Sequence, residues 1–308
     1  MSRQITLLGP QPRVHLPQAF RELDAESLVA VVTAGWQERE VDDAELRELV
    51  GHPSVNLALH ERWLAVHDED REYAHAEREH EAALAELRQL YLVQLDHALS
   101  AAYEVARRSD ARPRLRERAL TDSLGVVQLL DEQHVQRRAD LQQRFYDAWR
   151  PQERTAVARH RDEIQHLLEG SSALAIAGGH VGELARVLHL FHVAPHLPAH
   201  VVAWSAGAMA LTERVVLFHD FVPHGVAQTE VYAEGIGAVH GVVALPHARR
   251  RLRVSDPIHM SVLARRFAPA RCLVLDDSTR VPLDEDGALP PDARVLDLEG
   301  HIARLEAA

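Results

Sequence analysis

Between about residues 68 and 168, glycine and proline almost vanish: Pro113, Gly125 and Pro151 are the only ones. Ala, Glu, Arg, Gln and Leu dominate this stretch. Leu84, Leu87, Tyr91, Leu95, Ala98 and Ala102 recur at spacings of three and four. That period places them on one face of a helix. Leu120, Leu124, Val127 and Leu130, then Leu141, Phe145 and Trp149, continue the pattern. Punctuation by Ser109–Pro113 and by Arg150-Pro151 predicts two to four long amphipathic helices. Their charged residues form a solvated face. Their apolar stripes must be buried by coiled-coil packing within the chain or across a dimer, so the region is expected to act as a lid or an oligomerisation element.

On both sides of this stretch the texture is different. Ile5–Leu8 runs into Gly9-Pro10, and Leu28–Thr33 into Ala34-Gly35. Val55–Leu59 is a weaker third run, and Asp42–Val50 between them reads as a helix. The pattern resumes at Ser172–Ile176, followed by Ala177-Gly-Gly-His180 and a helix from about Val181 to Phe191. Val201–Trp204, Val215–Phe218, Val242–Leu245, Cys272–Leu275 and Arg294–Leu298 follow as strands, with a turn-rich terminal hairpin expected at Asp276–Pro291. Short apolar runs closed by turn residues and alternating with helices predict an α/β fold with a doubly wound, mostly parallel, flavodoxin-like sheet. The expected division is an α/β body from 1–67 and 169–308, with 68–168 inserted.

Composition narrows the function. A net charge of −12 argues against nucleic acid as partner. No run reaches the roughly 20 apolar residues of a membrane span. Met1–Pro12 lacks a signal-peptide layout, so a cytoplasmic protein is expected. The single cysteine, Cys272, lies in an apolar run and reads as a core residue. Every basic residue of the 34 is arginine. The absence of lysine removes P-loop, Schiff-base and Ser-Lys chemistry. His189, His192, His196 and His200 invite a metal reading, but only His189 and His192 share a helical face, and no paired-ligand motif accompanies them. No metal or organic cofactor is expected.

The chemistry centres on Val201-Val-Ala-Trp-Ser-Ala-Gly-Ala208. An apolar run ends in a serine among small residues, with a helix behind it. This is the layout of a nucleophile elbow, here A-x-S-x-G in place of G-x-S-x-G. The alternative is a small-residue turn packing a helix on a sheet. A serine nucleophile needs a base and an orienter. His247, in Leu245-Pro-His-Ala-Arg-Arg-Arg-Leu252, and Asp220, closing Val215–Asp220, both follow predicted strands. Gly178-Gly179 follows a strand and precedes a helix, so the N–H groups of Gly179 and Ala206 are the candidate oxyanion hole.

These residues resemble the serine peptidases comprising aspartyl dipeptidase (peptidase E) and cyanophycinase, which have a class I glutamine amidotransferase-like fold. The resemblance is strongest from about Ala173 to Val254. Trp204–Ala208 is similar to the family's elbow, and Gly178-Gly179 to its glycine loop. Asp220 keeps its fifteen-residue spacing after the serine, and Gly235–His240 with Pro246-His247 is similar to its segment before the histidine. The resemblance implies Ser205 as nucleophile, His247 as base, Asp220 as orienter, and Gly179 and Ala206 as the hole. It further implies a substrate with an acidic residue at the cleaved bond. Gly178, His180, Met209 and Arg249 are the expected substrate contacts. His180 stands where the family often has Asn, and Met209 where peptidase E has Asn. His180 either binds a substrate carboxylate or carbonyl, or caps the next helix. One of Arg249, Arg250 and Arg251 reads an acidic substrate, or all belong to a solvated basic turn.

The leading expectation is a serine hydrolase of a peptide or small amide, with a homodimer through the helices as a possible assembly. The rivals are a non-catalytic scaffold interacting through its helices, and an amidase or acyltransferase on a non-peptide substrate.

Overall fold

The structure is a computed structural model that describes residues 3–10, 15–221 and 229–307; parts of the Met1–Pro12 stretch discussed above lie outside these. In chain order its elements are β1 (Gln4–Leu8), α1 (Leu16–Ala19), β2 (Val29–Val32), α2 (Ala44–Val50), β3 (Ser54–Asn56), α3 (Leu59–Glu69), α4 (Arg71–Ala106), α5 (Pro113–Trp149), α6 (Thr155–Glu169), β4 (Ala173–Ile176), α7 (Val181–Leu190), β5 (His200–Trp204) and α8 (Ala206–Leu211). Then come β6 (Arg214–Leu217), β7 (Glu230–Glu234), β8 (Val242–Pro246), α9 (Ala248–Arg251), α10 (Pro257–Phe267), β9 (Arg271–Leu275), β10 (Arg280–Pro282), β11 (Arg294–Leu296) and β12 (Ile302–Arg304).

The fold is α/β around a mostly parallel sheet of order β10-β1-β5-β4-β2-β3. Strands β1, β5, β4, β2 and β3 run parallel, and β10 closes the edge antiparallel to β1, with Leu7 opposite Val281. Every residue of β2 and β4 is buried, because helices cover both faces. One face packs on α3, α6, α7 and α8 through residues such as Val66, Ile164, Leu184 and Ala208. The other packs Leu16, Phe20, Leu46 and Val50 against Val31, Ala175 and Val202.

The later strands depart from the single expected sheet. β8 and β9 pair in parallel, but in a second sheet of order β12-β11-β9-β8. β6 pairs with β7, a strand the sequence reading omits, in a separate ribbon. Asp276–Pro291 is not the terminal hairpin. It carries β10 back to the central sheet, and β11 and β12 form the hairpin, with Val295 opposite Ala303. β3 stops at Asn56 because Ala58 takes φ +50° and opens α3; Leu57 before the helix and Leu59 at its start are buried in the core.

The helical stretch forms as expected over most of its length. α4 and α5, of 36 and 37 residues, fold into an antiparallel hairpin. Pro113 starts α5, where its missing N–H costs nothing. Tyr91, Leu95, Leu99 and Ala102 pack on Leu120, Leu124 and Val127, and Val262 of α10 joins them. A buried polar lock fixes the hairpin to α10. Arg266 donates to Asp131 through Nε at 2.7 Å and Nη2 at 2.6 Å, and Tyr91 donates to the same carboxylate at 2.6 Å. α6 belongs with the body: Val157, Ile164 and Leu168 are buried in the central core. Among the described residues no helix is long and apolar enough to cross a membrane.

Candidate active site

Ligands of open parallel sheets bind beyond the carboxyl ends of the strands. Ser205 sits there, between β5 and α8, at φ +52°, ψ −121°. That backbone is costly for an L-residue and is the strained turn an elbow requires. Two close approaches explain the glycines around it. A Cβ on Gly207 would lie 2.4 Å from Ile176 O, so α8 can seat on β4 only with glycine there. A Cβ on Gly178 would lie 2.8 Å from Ser205 Cβ and 3.1 Å from its Oγ, so the glycine loop is packed directly on the serine side chain.

Gly179 adopts φ +130°, and a Cβ there would lie 2.3 Å from Gly35 O. The loop after β4 therefore touches the turn after β2 backbone to backbone, and His180 N donates to Gly35 O at 2.8 Å. No hydrogen bond within the described residues uses the N–H of Gly179 or Ala206. Both donors remain available near Ser205, and the α8 N-terminus adds its partial positive charge. Gly35 was not singled out in the sequence; a glycine ending a strand has many ordinary uses, and only its neighbour across the rim reveals this one.

His247 follows β8 at φ +58° and opens α9. Its N–H donates to Leu275 O at 3.0 Å, which places it beside the end of β9. Leu8 pairs with Trp204, so Gly9 follows β1 next to Ser205, and a Cβ on Gly9 would lie 1.9 Å from Asp276 O. The rim thus runs from Ser205 past Gly9 and Asp276 to His247. Burial, reinforced by Arg251 and Arg250, pushes the His247 pKa below its ordinary value, while Asp277 and Asp276 pull it upward. That shift favours the neutral ring, the form a general base needs. Among the described residues neither its nitrogens nor Ser205 Oγ has a side-chain hydrogen bond, so the two are not joined in this structure.

Among the described residues no hydrogen bond or ion pair joins Asp220 to His247. Its Oδ2 accepts from Arg253 N at 2.6 Å and lies 3.0 Å from His259 Nε2, an ion-pair approach out of line for a hydrogen bond. Its own N–H donates to Arg251 O at 2.7 Å. It therefore staples the segment after α9 to α10, while the carboxylates acting on His247 are Asp276 and Asp277. The sequence reading missed these because two aspartates after a strand also read as a turn.

The remaining expected contacts divide. His180 caps α7: its Nδ1 accepts from Glu183 N at 3.0 Å, which leaves the proton on Nε2. It also lines a cavity with Gly182. Met209 is 4% exposed and belongs to the core of α8. Arg249 lies 3.0 Å from Asp276 and Arg250 2.6 Å from Asp277, so both are committed to the loop after β9. Cys272 is buried, and burial pushes its thiol up to about 12, leaving no thiolate at neutral pH. Among the described residues no three His, Cys, Asp or Glu side chains gather as metal ligands; His192 and His196 meet ring edge to face at 6.2 Å.

No family model and no curated protein matches the chain. It is similar to a solved structure described as a "Putative Peptidase E Protein from Listeria monocytogenes EGD-e", with 9% identity and a TM-score of 0.42 over 95% of this chain and 97% of that one. A likeness at that level transfers no residue role.

Proposed function

We propose that the chain is a serine hydrolase that cleaves a peptide or related amide bond through an acyl-enzyme on Ser205. The observation that carries this reading is the strained elbow at Ser205, with Gly178 packed on its side chain. Strain of this kind persists only where the surroundings hold it, and it clusters at functional sites. Neutral His247 takes the Ser205 proton as Oγ attacks the carbonyl. The N–H groups of Gly179 and Ala206 hold the oxyanion. His247 then protonates the leaving amine, and water attacks the ester by the same route. Asp276 and Asp277 stabilise the imidazolium formed in between. The resemblance to aspartyl dipeptidase suggests an acidic residue at the cleaved bond.

A non-catalytic scaffold is the second reading. It is favoured by the engagement of Asp220 with Arg253 and His259, and by the missing Ser205–His247 hydrogen bond. Intact-mass detection of labelling by a small serine-directed phosphonate separates the two. One adduct on the native protein and none on Ser205→Ala supports the hydrolase. No adduct on either, with both folded, refutes it in favour of the scaffold.

A further inference from the structure

A cavity of about 540 Å³ lies between the hairpin and the body, walled by α4 and α5 on one side and by α7 and β7 on the other. That volume suits a small organic ligand. Tyr73, Phe145, Tyr146 and Tyr232 give it aromatic walls. Among its charged groups, Glu77, Glu183 and Arg186 have partners. Glu77 accepts from Trp63 Nε1 at 2.7 Å and from Tyr73 OH at 3.1 Å, and pairs with His67. Glu183 pairs with His60 at 2.7 Å and with Arg186.

Arg138, projecting from α5, is different. It is half-buried, and its guanidinium has no ion pair or hydrogen bond to any described residue. Its one polar contact is the face of Tyr232, 5.8 Å from the ring centroid. Burial holds its pKa below the usual arginine value. Arg88, over the same ring, shows the contrast: its fork is filled by Glu230 at 2.8 and 2.5 Å. Glu81 and Glu234 act on Arg138 through space, but neither hydrogen-bonds its fork, and a carboxylate forming two parallel N–H···O bonds would fill it.

We propose that this cavity binds a small organic carboxylate, anchored bidentately by Arg138, with an aromatic or apolar body against Tyr232 and Phe145. Glu81 and Glu234 line the same space and pull the Arg138 pKa upward. They oppose any anion, a dianion more than a monoanion, which favours carboxylate over phosphate. His180 and Gly182 line the cavity, but Ser205, Gly178, Gly179 and His247 do not. The site therefore stands or falls independently of the hydrolase reading.

Calorimetric titration with benzoate, and separately with inorganic phosphate, tests it. Saturable benzoate binding at millimolar concentration, one per chain and unchanged in Ser205→Ala, is expected, with phosphate clearly weaker. Arg138→Gln should weaken benzoate by about tenfold or more, the usual worth of a charge-assisted pair. Ala139→Phe fills the cavity without touching the charge and should abolish binding. Glu81→Gln removes a competitor and should tighten it. If Arg138→Gln fails to fold, the Ala139 and Glu81 variants decide. Absence of saturable benzoate binding overturns the proposal, as does equal affinity in the Arg138 and Ala139 variants, or phosphate binding at least as tightly.

Discussion

Replacing His134 by phenylalanine should stabilise the protein, and increasingly so as the pH falls. His134, on α5, stacks on Tyr91 with ring centroids 4.0 Å apart and planes 9° from parallel. The residue is 2% exposed, and neither ring nitrogen has a hydrogen-bond partner. Phenylalanine keeps the stack and removes two unsatisfied nitrogens, a gain of about 1 kcal/mol at pH 7. The neighbouring groove lined by Leu87, Leu130 and Arg137 leaves room for the larger ring. Burial, with Arg138 next, pushes the His134 pKa from 6.5 to about 4. The unfolded chain therefore binds the proton more readily than the native one between those values. Stability attributable to a neutral His134 is complete above pH 6.5 and is lost as pH falls towards 4. Linkage with these two pKa values gives a loss of about 2 kcal/mol by pH 5. The phenylalanine variant escapes that loss, so its advantage should grow from about 1 to about 3 kcal/mol between pH 7 and 5. Urea unfolding of both proteins at half-unit pH steps reads the difference directly, because all other titrating groups cancel. Parallel stability curves across that range would falsify the argument from the buried ring.

Other substitutions address the site. Gly178→Ala should sharply reduce phosphonate labelling of Ser205 while the far-ultraviolet dichroism stays native, since the new methyl meets the serine Cβ at 2.8 Å; unchanged labelling would mean that the loop yields freely. Asp276→Asn with Asp277→Asn should lower the pH midpoint of labelling, because both carboxylates raise the His247 pKa. Asp220→Asn should lower the melting temperature and leave that midpoint in place; the reverse outcome would restore Asp220 as the orienter. Glu40→Gln should raise the melting temperature at pH 7: burial raises the Glu40 pKa, and its Oε1 lacks a partner. The charged form is thus penalised above the ordinary value of 4.5, and the gain should fade as pH drops towards it.

Much of this architecture is legible in the residues. Strands β2 and β4 are short, wholly buried apolar runs closed by glycine or threonine, and only a sheet covered on both faces wants such runs. The hairpin is legible because its period holds over many turns, and Pro113 marks its corner. Illegible features depend on partners distant in sequence. Nothing in Arg280–Pro282 says that it crosses to β1, and nothing in Glu230–Glu234 outweighs its two charges, of which Glu230 is met by Arg88 only in three dimensions. The elbow and glycine loop are local geometry, and sequence conveys local geometry well. Which carboxylate serves His247 depends on which loop faces which, and neither a place after a strand nor spacing conveys that.

Ser205 and His247 both hold positive φ with side chains that disfavour it. Glycine at either position would relax the backbone by roughly 1 kcal/mol. Each is a single substitution to which a lineage free of selection at this rim has open access. Keeping serine and histidine at both turns forgoes that relief twice over, in a molecule whose net stability is expected to be only about 5–15 kcal/mol.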